Sequence, residues 1–254
     1  MKTKRATTVD GEDVEASSAV ESLTMRILLV GYGKMGRMVG QLAAEYGCEV
    51  AGFIDPRLPD GRDGPAADRW RGVDVAIDFS SPDAVVHNVP ALVGRGVHVV
   101  VGTTGWQKDE AAIRKAVAES QAGVVVAPNF SAGVVLFEAV AARAAQLFGA
   151  QKEFGAWVHE AHHSTKKDAP SGTALLLKQA MEHAGFTRTI DMSSTRAGFI
   201  PGVHTIGFDG PAETITLTHT ARDRTSFARG ALTAAQWVNG RRGWFTMHDV
   251  LGLR

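Results

Sequence analysis

Cysteine is nearly absent from this chain: Cys48 is the single one among 254 residues. That excludes an internal disulfide framework and a cysteine-built zinc site, and it fits a reducing, cytoplasmic compartment. An excess of charge is absent too, because 27 Lys plus Arg balance 27 Asp plus Glu. Bulk charge therefore offers nothing to nucleic acid or to a membrane surface. No uninterrupted apolar run approaches the roughly 18 residues of a spanning helix, so none is expected. The first 24 residues lack the apolar core of a signal peptide, and Asp10, Glu12, Asp13, Glu15 and Glu21 are unlike a transit peptide. They read as a mobile tail, with Met25 as an alternative start.

What is present begins at Met25. Arg26 to Val30 is a short apolar run of buried-strand type, and it leads directly into Gly31-Tyr32-Gly33-Lys34-Met35-Gly36. A helix is expected from Arg37 to Tyr46, Gly47 ends it, and Glu49 to Ile54 reads as a second strand closing on Asp55, 19 residues after Gly36. This is G-x-G-x-x-G between strand and helix, with the acid where a ribose would lie. Gly31 permits the tight turn, Gly33 lets backbone approach a pyrophosphate, and Gly36 lets helix and strand close together. Asp55 would accept from ribose hydroxyls and disfavour a 2′-phosphate. Lys34, Arg37 and Arg57 are near enough to compensate, so NADH, NADPH or both are the expected cofactors.

Alternation continues through strands at Val73 to Phe79, His98 to Val101 and Gly123 to Ala127, with helices at Asp83 to Val93, where Pro90 threatens a kink, and Glu110 to Glu119. Strand-helix alternation predicts a Rossmann-like parallel sheet, whose ligands bind beyond the carboxyl ends of the strands. Gly102-Thr103-Thr104 and Ala127-Pro128-Asn129-Phe130 fall at such ends.

After Ser131 the rhythm changes. A long apolar helix, Val134 to Leu147, precedes a strand at Lys152 to Val158, a helix at Gly172 to His183, and period-2 runs at His204 to Phe208 and Glu213 to Thr220. This predicts an α+β domain with an open mixed sheet, whose free face suits a homo-oligomer. A last helix, Ser226 to Val238, presents Phe227, Ala231, Leu232, Ala235 and Val238 on one face. Trp237, Trp244 and Phe245 read as core or interface. The expected division is residues 25–127 for the dinucleotide, 128–227 for substrate and assembly, and 228–254 returning to the first domain.

Glu160-Ala161-His162-His163-Ser164-Thr165-Lys166-Lys167-Asp168-Ala169-Pro170-Ser171-Gly172-Thr173-Ala174 concentrates the chemistry. Ser171 reads as an N-cap before Ala174 to Leu177, and free N–H groups at a helix start attract a carboxylate or phosphate. With His163 and Lys166 they make a pocket for an anionic substrate, and His162 adds acid-base capacity. Arg196, which precedes Gly198, and His204, which follows Gly202, are candidates to reach the same cleft.

That string resembles the signature of the 4-hydroxy-tetrahydrodipicolinate reductases (dihydrodipicolinate reductases) of bacterial lysine biosynthesis. Likeness extends over nearly all of Met25 to Leu253, through Gly31 to Gly36, Gly102 to Trp106, Ala127 to Ser131 and Arg222 to Ala231. The resemblance implies reduction of a cyclic hydroxy-imine dicarboxylate by NADH or NADPH with loss of water, in an enzyme that is usually tetrameric. It implies His162 as the acid-base histidine, Lys166 as proton donor, and His163, Gly172 and Thr173 as substrate contacts. Gly31 to Gly36, Asp55, Gly102 to Thr104 and Ala127 to Phe130 match the family's cofactor segments. Trp157 departs from the family pattern, which has an acid there; the stretch from Asp55 to Val73 is brief, and Thr195 to Asp209 is compact.

Two rivals differ in kind. A nucleotide sensor would keep the first domain and have no need for His162, His163 and Lys166. A metal hydrolase would use Glu160, His162, His163 and Asp168, yet adjacent histidines point apart and no second ligand pair is evident.

Overall fold

The computed structural model describes residues 24–253, so the expected tail lies outside the described residues except for Thr24. The chain opens with β1 (Met25–Val30), α1 (Lys34–Leu42), β2 (Cys48–Ile54), β3 (Val75–Asp78), α2 (Pro82–Val93), β4 (His98–Val101), α3 (Glu110–Ala118) and β5 (Gly123–Val126). With β10 (Gly243–Phe245) these strands form one sheet in the order β10-β5-β4-β3-β1-β2, parallel throughout. Ile27, Leu28 and Leu29 are all fully buried because helices cover both sides of β1, which is why consecutive residues there are apolar.

Two local expectations change. α1 begins at Lys34 rather than Arg37, since Arg37 N already donates to Gly33 O at 3.0 Å; the second half of the glycine motif is the helix's first turn. Pro90 sits inside α2, which continues through it to Val93.

The second half contains α4 (Ala132–Gly149), β6 (Gly155–His162), α5 (Gly172–His183), β7 (Ile190–Arg196), β8 (Val203–Asp209) and β9 (Thr214–Thr220). The sheet order is β7-β6-β8-β9; β6 and β7 are parallel and the other pairs antiparallel. β6 runs four residues beyond its expected end at Val158, because β7 and β8 supply partners: Arg196 stands opposite His162 and Val203 opposite Ala161.

One face of this sheet, with Val158, Ile206, Phe208 and Ile190, packs on Ala141, Ala145, Leu177 and Met181 of α4 and α5. The other face is open, and along β9 its residues Thr214, Thr216, Thr218 and Thr220 are exposed. Trp157 points to this open side, against Gly207, where a Cβ would lie 2.2 Å from the indole ring. α4 also corrects the sequence reading on apolar length: its 18 residues have a mean hydropathy of 1.4, long and apolar enough to cross a membrane by length and composition. Here it lies against α5, with contacts to α6 (Thr225–Val238) and β9.

α6 carries the chain back. Ala228, Ala231, Leu232, Ala235 and Val238 join Ile27, Leu29, Val100 and Val125 in one cluster. Phe227, expected on the same face, borders the cleft between the two sheets instead. A short α7 (Met247–Val250) follows β10.

Candidate active site

The chain passes from β1 to β2 on one side and returns to β3 on the other, so the carboxyl ends of β1 and β3 bound the crevice where such sheets bind ligands. The glycine loop lies there. Gly31 has φ +85°, and a Cβ on it would come within 2.4 Å of Phe79 O; a Cβ on Gly36 would strike Gly31 O at 2.1 Å. Those two glycines are required by the protein's own packing. Gly33 is not: its φ is −80°, and a Cβ there meets nothing within 4 Å. The room is left outside the protein, beside the start of α1, which fits a pyrophosphate.

Asp55 is buried at the end of β2 and already well supplied with donors. It accepts from Tyr32 N at 3.1 Å and from Arg57 Nε and Nη2 at 2.8 and 2.6 Å. The Arg57 guanidinium holds its carboxyl far below the usual carboxylate range, against the effect of burial. Arg57 itself is largely exposed. Tyr32 stacks on Phe53 with ring centres 4.3 Å apart, and the Arg37 guanidinium lies over Tyr32.

The later segments meet the loop from the neighbouring strands. Thr103 Oγ1 donates to Asp78 Oδ1 at 2.8 Å, and Gly102 lies so close to Phe79 that a Cβ would stand 2.1 Å from its ring. Ala127 and Phe130 are buried, whereas Met35, Thr104, Pro128 and Asn129 face the cleft. Helix α6 presses on that segment: a Cβ on Gly230 would fall 1.6 Å from Phe130 O.

Across the cleft, which encloses about 1070 Å³, stand His162, His163, Lys166, Gly172 and Thr173. Glu160, fully buried, accepts Arg196 Nη2 on Oε1 at 2.7 Å and Nη1 on Oε2 at 2.9 Å, and it also binds His162 Nδ1. Burial works to raise the Glu160 carboxyl; the Arg196 fork and His162 outweigh it and hold it at about 2. An ionised Glu160 fixes the hydrogen of His162 on Nδ1. Burial lowers the His162 pKa, and Glu160 opposes that. Its Nε2 therefore carries a lone pair at neutral pH, and Gly202 leaves it space: a Cβ there would lie 3.1 Å from Nε2.

Lys166 pairs with Asp168 at 2.8 Å, and His163 Nδ1 lies 2.8 Å from Thr165 Oγ1. Ser171 caps α5 by accepting from Ala174 N at 3.2 Å. Gly172 resembles Gly33: a Cβ there meets nothing within 4 Å, at a helix start facing the same cleft. The metal-hydrolase arrangement is not assembled, since Glu160 is held by Arg196 and Asp168 by Lys166.

Comparison with known proteins agrees with this two-sided cleft. Residues 25–130 match the family described as dihydrodipicolinate reductase, N-terminus, and residues 133–251 match dihydrodipicolinate reductase, C-terminus. The chain belongs to the dihydrodipicolinate reductase family. A relative from Thiobacillus denitrificans, named 4-hydroxy-tetrahydrodipicolinate reductase, is 38% identical over 91% of this chain and 100% of its own. One of the same name from Christiangramia forsetii is 32% identical over 89% of this chain and 98% of its own. Among solved structures, a dipicolinate-bound dihydrodipicolinate reductase from Paenisporosarcina has the same fold, with a TM-score of 0.76 at 23% identity, covering 89% of this chain and 99% of that one.

Some of the family member's site could not be read from sequence. Arg196 was a candidate to reach the cleft; it instead stands behind His162 as the partner of Glu160. His204 does reach the cleft, as expected, and His219, which the sequence did not single out, lies opposite it on β9. Period-2 patterning puts Glu160 and His162 on one face of a strand, but the register that brings Arg196, His204 and His219 onto the same face belongs to tertiary pairing.

Proposed function

We propose that the chain catalyses reduction of 4-hydroxy-tetrahydrodipicolinate to tetrahydrodipicolinate, with loss of water, in lysine and diaminopimelate biosynthesis. One observation carries the reading beyond kinship: the dinucleotide-facing residues Met35, Thr104, Pro128 and Asn129 and the cluster His162, Lys166, Gly172 and Thr173 line a single cleft. A nicotinamide cofactor, NADH or NADPH, supplies the hydride. The glycine loop from Gly31 to Gly36, with Asp55, holds the dinucleotide, and Gly102 to Thr104 with Ala127 to Phe130 flank its reactive end.

A dicarboxylate substrate is anchored by the first N–H groups of α5, at Gly172 and Thr173, and by His163. Lys166 would donate a proton to the ring nitrogen as the conjugated imine left by loss of water accepts hydride at the carbon that carried the hydroxyl; the enamine so formed returns to the cyclic imine of tetrahydrodipicolinate by protonation on carbon. His162, braced by Glu160, handles the proton that lets hydroxide leave as water. A sensor without catalysis would have no use for a histidine supported in this way.

The open face of the second sheet supports assembly of a homotetramer, and a biosynthetic reaction with a single-cysteine chain supports a cytoplasmic location. Light scattering that returns a monomer at micromolar concentration would remove the assembly proposal. The activity itself is tested by following NADH oxidation while the preceding enzyme makes substrate from pyruvate and aspartate semialdehyde. Cofactor binding without turnover would leave the fold and defeat the reaction.

A further inference from the structure

Ser171 stands at a junction. Its N–H donates to Glu160 Oε1 at 3.3 Å, its hydroxyl oxygen accepts from Ala174 N at 3.2 Å, and the same oxygen lies 3.1 Å from His204 Nε2. His204 is 4% exposed. On β8 it faces Glu160 of β6 and His219 of β9, and its ring meets that of His162 edge-on with centres 5.1 Å apart. Its second nitrogen, Nδ1, is buried and has no partner. Burial, with His162 and His219 beside it, lowers the ring's pKa to about 4, so it is neutral under working conditions.

A neutral ring carries its hydrogen on one nitrogen only, and the two choices differ in what they strand. With the hydrogen on Nδ1, a buried N–H has no acceptor, and the serine hydrogen is used on Nε2. With the hydrogen on Nε2, the stranded atom is a lone pair, which buried sites tolerate better than an orphaned donor. Ser171 Oγ then accepts twice, from Ala174 and from His204, and its own hydrogen remains unused. Ser171 borders the cleft beside Gly172 and Thr173.

We propose that His204 is a positioning residue: by donating from Nε2 to Ser171 Oγ, which also accepts from Ala174 N, it turns the serine hydrogen away from itself and toward a substrate carboxylate seated at the start of α5. The inference rests on the dicarboxylate reading of the cleft. It also gives a use to a buried histidine whose Nε2 lies against Ser171 Oγ. The conservative replacement is glutamine, whose amide nitrogen reaches the place of Nε2 and donates; leucine fills the space without donating.

The test is binding of pyridine-2,6-dicarboxylate to the NADH-loaded enzyme, in wild type, His204→Leu, His204→Gln, Ser171→Ala and the Leu/Ala double variant, with the substrate KM and kcat of each. His204→Leu and Ser171→Ala should each weaken the dicarboxylate about tenfold, as loss of one hydrogen bond to a charged group does. The double variant should lose no more than either single one, His204→Gln should stay within about twofold of wild type, and NADH affinity should hold in all. Losses that add, a His204→Gln variant as weak as His204→Leu, or unchanged dicarboxylate affinity would overturn the role of His204. A wild type that binds NADH but no dicarboxylate would instead defeat the reading of the cleft on which the inference depends.

Discussion

Arg196 ties together the supports of both proposed catalytic residues. Its guanidinium grips Glu160, which holds His162, and its Nη2 also donates to the carbonyl of Asp168 at 2.5 Å, the residue whose carboxylate pairs with Lys166. Replacing it with Lys keeps the charge and loses the fork. Turnover of Arg196→Lys should fall about 10- to 100-fold, the range seen when a supporting partner is removed, with NADH affinity unchanged. Steady-state kinetics beside cofactor titration check this.

His162→Ala and Lys166→Ala should lower kcat by about 100-fold or more, the scale of a lost acid or base, while leaving the cofactor dissociation constant near wild type. A variant with normal turnover removes its residue from the mechanism.

Cofactor choice should follow Arg57. It chelates Asp55, the acid expected at the ribose, and is itself largely exposed. Arg57→Ala should raise the KM for NADPH about tenfold, equivalent to one charge-assisted contact, and change that for NADH little. Equal effects on the two cofactors would show that Arg57 does not read the phosphate.

Stability should fall in two stages as pH drops. His204 is held below its ordinary value, at about 4, so the unfolded chain binds that proton first; stability is lost between about pH 6.5 and 4, by at most about 3 kcal/mol. Glu160 is depressed to about 2, so its contribution is present above the unfolded carboxyl value and is lost as pH falls toward 2. Urea unfolding at pH 7 and pH 5 should show a smaller difference in His204→Gln than in wild type.

Arg188 closes the carboxyl end of α4. It donates to the carbonyls of Phe148, Gly149, Gln151 and Phe154 at 2.9 to 3.2 Å and lies over the Phe186 ring. Arg188→Met should cost about 2 kcal/mol in urea unfolding, with cofactor affinity intact.

The glycine loop, Asp55 and the run from Glu160 to Ala174 were legible because each is a local pattern whose chemistry needs those residues in order. Most strand positions were legible for the same reason, since burial on one or both faces leaves a period. β7 was missed: Asp191-Met192-Ser193-Ser194-Thr195 is mostly exposed, and an edge strand needs little apolar patterning. β10 was missed because three residues are too few to show a period, and Trp244 and Phe245 were read only as packing. Arg196 and Glu160 lie 36 residues apart, so their pairing depends on parallel register and has no local sign.

The alternation along β6 has a consequence for how errors would propagate. Val158, Glu160 and His162 face the helices, and Trp157, His159 and Ala161 face the open side. Core, chemistry and outer surface are thus interleaved on eight residues of one strand. A slip of one residue would bury His159, expel His162 and swap the outer surface in a single event. Misfolded molecules would then be inactive outright, not partly competent, and tolerance to insertion or deletion should vanish on this strand while point substitutions on its open side survive.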